Sequence, residues 1–85
     1  MDTIYKLPLV LEPQLEGGYT ITCPMLPNFV TEADTLDEVI PHATDALAAL
    51  IEACEDLKQP QPTVLQPLPF GSTLWSETLI QVRTA

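Results

Sequence analysis

One run of residues governs what this chain can become. Leu36, Val39, Ile40, Ala43, Ala46, Leu47, Leu50, Ile51, Cys54 and Leu57 recur at three- and four-residue steps, the spacing that puts side chains on one face of an α-helix. Asp45, Glu52, Glu55 and Asp56 fall on another face. The pattern predicts an amphipathic helix of about six turns, whose apolar stripe must be covered by a second layer. Thr35 and Glu38 have the spacing of a capping box, with Asp34 and Asp37 adding negative charge where the helix dipole favours it and Lys58 suiting the opposite end. Pro41 sits inside this run, where its ring would clash with the preceding turn. The helix therefore kinks there or starts later than the capping box implies.

The covering layer is read from short extended segments. Residues 4–11 are aliphatic and read as a strand, and Pro8 within them, having no N–H to donate, points to an edge position or a bulge. Gly17 and Gly18 supply positive φ for a turn, after which Tyr19, Ile21 and Cys23 alternate with Thr20 and Thr22; a hairpin follows. Pro24 and Pro27 then leave residues 29–32 for a short third strand. Beyond the helix, Pro60, Pro62, Pro67 and Pro69 make residues 60–72 an extended connector, expected to span distance instead of packing a core. Residues 73–83 are β-branched and alternating, and read as a final strand.

The expected fold is α+β: a single β-β-β-α-β domain over residues 1–85, with a small, mainly antiparallel sheet and one long helix on one face. One helix leaves the other face bare, so that face must be polar or meet another copy. A chain of 85 residues buries only about 60–65% of its unfolded surface, and a homo-oligomer, dimer or tetramer, is expected. Phe70 and Trp75 flank Gly71, where an apolar pair either pins the last strand to a neighbouring subunit or packs within the chain.

Charge narrows the function. Twelve acidic residues against three basic ones give a net charge of −9, with 46% hydrophobic residues; the chain has the apolar content to fold and the charge to repel phosphate. Lys6, Lys58 and Arg83 are too scattered for a basic patch, so direct nucleic-acid or anionic-membrane binding is not expected. Eleven of the twelve carboxylates precede Pro62, and that part of the chain suits a cationic partner.

Enzymatic constellations are scarce. His42 is the single histidine and has no nucleophile at a recognisable spacing, so it reads as a surface or helix-packing residue. Cys23 and Cys54 with one histidine make an incomplete zinc set, and both read as reduced core thiols. Glu12, Glu16, Glu32, Asp34, Asp37 and Glu38 offer enough oxygens for a two-magnesium nuclease, but the basic residues needed to hold its substrate are missing. No catalytic residue, metal or cofactor is expected. No apolar run approaches the ~20 residues of a membrane span, and no secretion signal is visible; the expectation is a soluble, cytoplasmic protein.

Several of these segments together resemble a known pattern. Residues 5–12, then Glu16, Gly17, Gly18 and Tyr19, then Cys23-Pro24-Met25-Leu26-Pro27, then Asp34-Thr35-Leu36-Asp37-Glu38 and Ala43 to Ala46 resemble the N-terminal domain of HicB-type antitoxins and their short stand-alone relatives. The resemblance spans residues 4–57. It implies a partial ribonuclease-H-like fold without catalytic function, which oligomerises and neutralises a small basic HicA-type messenger-RNA-cleaving toxin by occluding its active site. Asn28 and Ala33 stand where the family usually has Gly, and Pro41 and His42 where it has acidic or amide residues. Full-length HicB antitoxins add a DNA-binding domain after this unit, whereas only one strand is expected here, so autoregulation is not carried over. No motif transfers contact residues; Asp45, Glu52, Glu55 and Asp56, sharing a helix face, are the expected partner-binding surface, against a simple solubilising role. The competing expectation is an orphan oligomeric scaffold of the same fold that binds another protein or a small molecule.

Overall fold

The computed structural model describes residues 3–69, 71 and 73–84. Three strands, β1 (Val10–Pro13), β2 (Tyr19–Cys23) and β3 (Leu26–Ala33), form an antiparallel sheet in the order β1-β2-β3, followed by a 3-10 turn (Leu36–Glu38) and one long helix, α1 (Val39–Asp56). The α+β architecture is the expected one. Alternation explains its two faces. In the register Leu11↔Ile21 and Ile21↔Thr31, the inner face collects Ile21, Cys23, Phe29 and Ala33 beneath α1, all buried, with Ile21 at 0% and Phe29 at 2% exposure. The outer face carries Glu12, Thr20, Thr22 and Glu32 with Val10 and Val30; of the two outcomes expected for a bare face, it is largely polar.

The β1-β2 turn rests on glycine. Gln14 donates its N–H to the Gly18 carbonyl and Gly17 to that of Gln14, both at 3.0 Å, with φ +100° at Gly17 and +79° at Gly18, values costly for any residue with a Cβ. The β2-β3 connection is tighter than expected. Cys23 pairs with Leu26 across Pro24 and Met25, and an irregularity follows between Thr22 and Cys23 in the ladder. Pro27 lies within this irregular stretch at the sheet's edge, where a missing N–H costs little, so β3 starts at Leu26 instead of residue 29. The first strand is correspondingly shorter and later than residues 4–11: ladder pairing begins at Val10, beyond Pro8, and Tyr5 makes only an isolated bridge to Pro67.

Pro41 sets where α1 begins. The helix starts at Val39, which puts Pro41 in the first turn, where no backbone N–H is needed and the fixed φ fits. The capping box does not close. Thr35 is extended and its hydroxyl donates to the Glu38 carboxylate at 3.2 Å, while the Glu38 N–H donates to the Thr35 carbonyl at 3.2 Å; the 3-10 turn inserted ahead of α1 diverts both groups. At the other end, Lys58 takes φ +54°, its N–H donates to the Glu55 carbonyl at 3.0 Å and that of Gln59 to Cys54 at 2.8 Å. This is a Schellman closure with lysine in the place usually held by glycine. The apolar stripe is narrower than its sequence pattern: Val39 is buried and Ala43, Ala46, Leu47, Leu50 and Ile51 pack against the core, but Ile40 and Leu57 are exposed.

Two expectations about the C-terminal third are corrected. The proline-rich connector packs a core as well as spanning distance: Leu65 is buried among Ile21, Phe29 and Val39, Val64 is half-buried, and the Leu68 N–H donates to the Ile4 carbonyl at 2.9 Å. Its prolines remove donors, yet the three apolar residues between them still have side chains to bury. The final strand at 73–83 does not form within the single chain. The described residues there are exposed and have no strand pairing, because a strand exists only against a neighbouring edge. Phe70 lies outside the described residues; Trp75 is 80% exposed.

Candidate functional site

Two surfaces of α1 are candidates for recognition. The first is the acidic stripe. Asp45, Glu52, Glu55 and Asp56 are all exposed, spaced so that Asp45, Glu52 and Asp56 stack along one line of the helix and Glu55 stands beside them. Among the described residues the single ion-pair geometry is elsewhere, between His42 Nε2 and Glu38 Oε2 at 3.5 Å. The four carboxylates are therefore hydrated and available, and their clustered field attracts a cation at long range.

The second surface was not foreseen from the sequence. Where α1 leaves the sheet, Phe29 and Val30 of β3, Ala49 and Ala53 of α1, and Leu57 and Pro60 beyond its end enclose an open groove of about 630 Å³. Small alanines on the helix leave the space, and the chain's turn after Lys58 walls its end. None of the residues lining it is charged, in a chain of net charge −9. Cys54 lies on this groove and is half-buried, whereas Cys23 is in the core; both are free thiols.

The residues weighed for catalysis are not assembled into a reacting centre. His42 donates its Nδ1–H to the Glu32 carbonyl at 2.6 Å, a packing role that ties α1 to β3. Among the described residues, no three of His, Cys, Asp and Glu lie close enough to share a metal ion. Glu16, Glu32 and Asp34 line a shallow depression of 340 Å³ around the glycine turn, and no basic residue joins them there. Among the described residues, no helix is long and apolar enough to cross a membrane.

No family model matches the sequence. Individual proteins do. The chain is 37% identical over 68 residues to the UPF0150 protein ssr1765 of Synechocystis sp. (strain ATCC 27184 / PCC 6803 / Kazusa), covering 76% of this chain and 86% of that protein. It is 40% identical over 47 residues to Antitoxin HicB 1 of Photorhabdus laumondii subsp. laumondii, covering 55% of this chain and 30% of that protein. The second similarity is confined to a HicB-like domain and leaves most of that antitoxin unmatched.

Proposed function

The chain belongs to the UPF0150 family, and we propose that it is a HicB-like antitoxin or antitoxin-derived binding module, without enzymatic activity of its own. It neutralises a small basic HicA-type messenger-RNA-cleaving toxin by stoichiometric occlusion of the toxin's active site. The similarity to a HicB antitoxin carries the reading. The unpaired carboxylates of Asp45, Glu52, Glu55 and Asp56 support it, since a rigid helix presents them together to a cationic protein that must also bind RNA.

The physical scheme is competition for charge. A ribonuclease holds its substrate by basic side chains around the active site, and an acidic stripe docked there neutralises the same side chains and excludes the phosphate backbone. Such docking is fast and salt-dependent, because the summed field steers the encounter. The test is co-expression with a small basic HicA-type ribonuclease, measuring the mass of the complex and growth of cells making the toxin. A stable complex and restored growth are expected; full toxicity with no complex would reject the assignment.

A second reading follows from the more extensive similarity, to a UPF0150 protein whose name specifies no toxin: an orphan oligomeric scaffold of the same fold that binds a different protein. It predicts a homo-oligomer that takes up no basic ribonuclease.

A further inference from the structure

The chain has an open groove lined without charge and, separately, an exposed apolar segment. Leu74, Trp75, Leu79, Ile80 and Val82 are all exposed, between 53% and 80%. Exposed apolar residues are ordinary when scattered, but here five lie within nine positions of an alternating, β-branched stretch. The segment projects from the body: the Cα radius of gyration is 14.6 Å, against about 12 Å for a compact domain of this length.

We infer that residues 73–84 dock on a second copy of this chain, adding a strand beside β3 and filling the groove between β3 and α1, in a reciprocal two-fold exchange. Charge selects the occupant. Residues 59–84 contain one acidic and one basic residue, Glu77 and Arg83, and are neutral, while the rest of the chain carries the whole charge of −9. A groove lined without charge offers a cationic toxin nothing to pair with, and it suits a neutral apolar strand.

Register suits it too. Leu74, Ile80 and Val82 share one face of an extended segment and Trp75 and Leu79 the other. Beside β3, the first set enters the groove against Phe29 and Ala53, and the second lies near Val30, which is 60% exposed on the outer face of the sheet. Twelve extended residues reach ~40 Å, ample for the Asn28–Val30 part of the edge; at Glu32 the edge carbonyl is already taken by His42. Because one chain has both an open groove and a free strand, two copies satisfy each other with one self-complementary interface. This inference is independent of the antitoxin reading.

The test uses the full chain. It is expected at twice its 9.3 kDa mass by light scattering, with emission of its one tryptophan shifting to longer wavelength on dilution as Trp75 is released. Truncation after Pro69, and separately Ala53→Glu in the groove, should each give a folded monomer by circular dichroism. Ile80→Cys, oxidised, should give a covalent dimer through Cys54, abolished by Cys54→Ala, with buried Cys23 unreactive. A monomeric full chain, a dimer that survives truncation, or a disulfide formed within one chain would each overturn the exchange. A tail protected only when a basic toxin is added would also overturn it, assigning the groove to that partner.

Discussion

His42 and Glu32 join the two layers of this protein: the imidazole Nδ1–H donates to the Glu32 main-chain carbonyl at 2.6 Å. The carbonyl can only accept, so Nδ1 carries the hydrogen of this bond, and Nε2 faces the Glu38 carboxylate at 3.5 Å. The bond anchors the start of α1 to β3. Replacing His42 with Ala removes it, and because the side chain is only half-buried the expected loss is about 1 kcal/mol, read as a lower urea midpoint with an unchanged slope. No loss of midpoint would mean that packing alone seats the helix.

Lys58 provides the opposite prediction. A non-glycine residue in the left-handed region costs roughly 1–2 kcal/mol, and at φ +54° Lys58 incurs that cost to close the helix. Lys58→Gly is expected to stabilise the protein by about 1 kcal/mol, and Lys58→Ala should not. Thermal unfolding of the two variants distinguishes backbone strain from loss of the side chain's charge.

The glycine turn can be divided the same way. Both Gly17 and Gly18 have positive φ, but a Cβ on Gly17 would meet nothing within 4 Å, whereas one on Gly18 would lie 3.0 Å from the Ala33 carbonyl oxygen. Gly17→Ala should cost about 1 kcal/mol from conformation alone. Gly18→Ala should cost more, because main chain cannot move aside without opening the β2-β3 ladder. Equal costs would show that the hairpin relaxes freely.

Leu65 tests the corrected role of the connector. Leu65→Ala removes a buried side chain from a small core and is expected to cost about 2–5 kcal/mol, a large part of the stability of a domain this size. Substitution of the neighbouring exposed Gln66 with Ala should leave the unfolding midpoint unchanged within about 0.5 kcal/mol. If Leu65→Ala were equally silent, the connector would be a spacer after all.

These elements differ in how openly the sequence displayed them. The helix was legible because its ten apolar positions repeat over many turns, and Pro41 left a kink or a late start open, of which the late start is found. The hairpin at Gly17 and Gly18 was legible from turn chemistry. Residues 26–28 of β3 were hidden by Pro24 and Pro27, whose usual meaning is interruption; an edge position with a ladder irregularity tolerates them. Leu65 was hidden because prolines mark what a backbone cannot do and say nothing of the side chains between them. The acidic stripe was readable from helical spacing. The groove was not, since it needs alanines of α1, an aromatic of β3 and the prolines after Lys58 to meet in space.

The most direct test is an RNA-cleavage titration of a small basic HicA-type ribonuclease with this protein. Cleavage is expected to fall linearly to zero at one binding module per toxin active site. Asp45→Lys with Glu52→Lys should weaken inhibition about tenfold or more, ~1.4 kcal/mol or above, without altering the module's fold. Undiminished cleavage at a large excess of the unmodified protein would contradict the account.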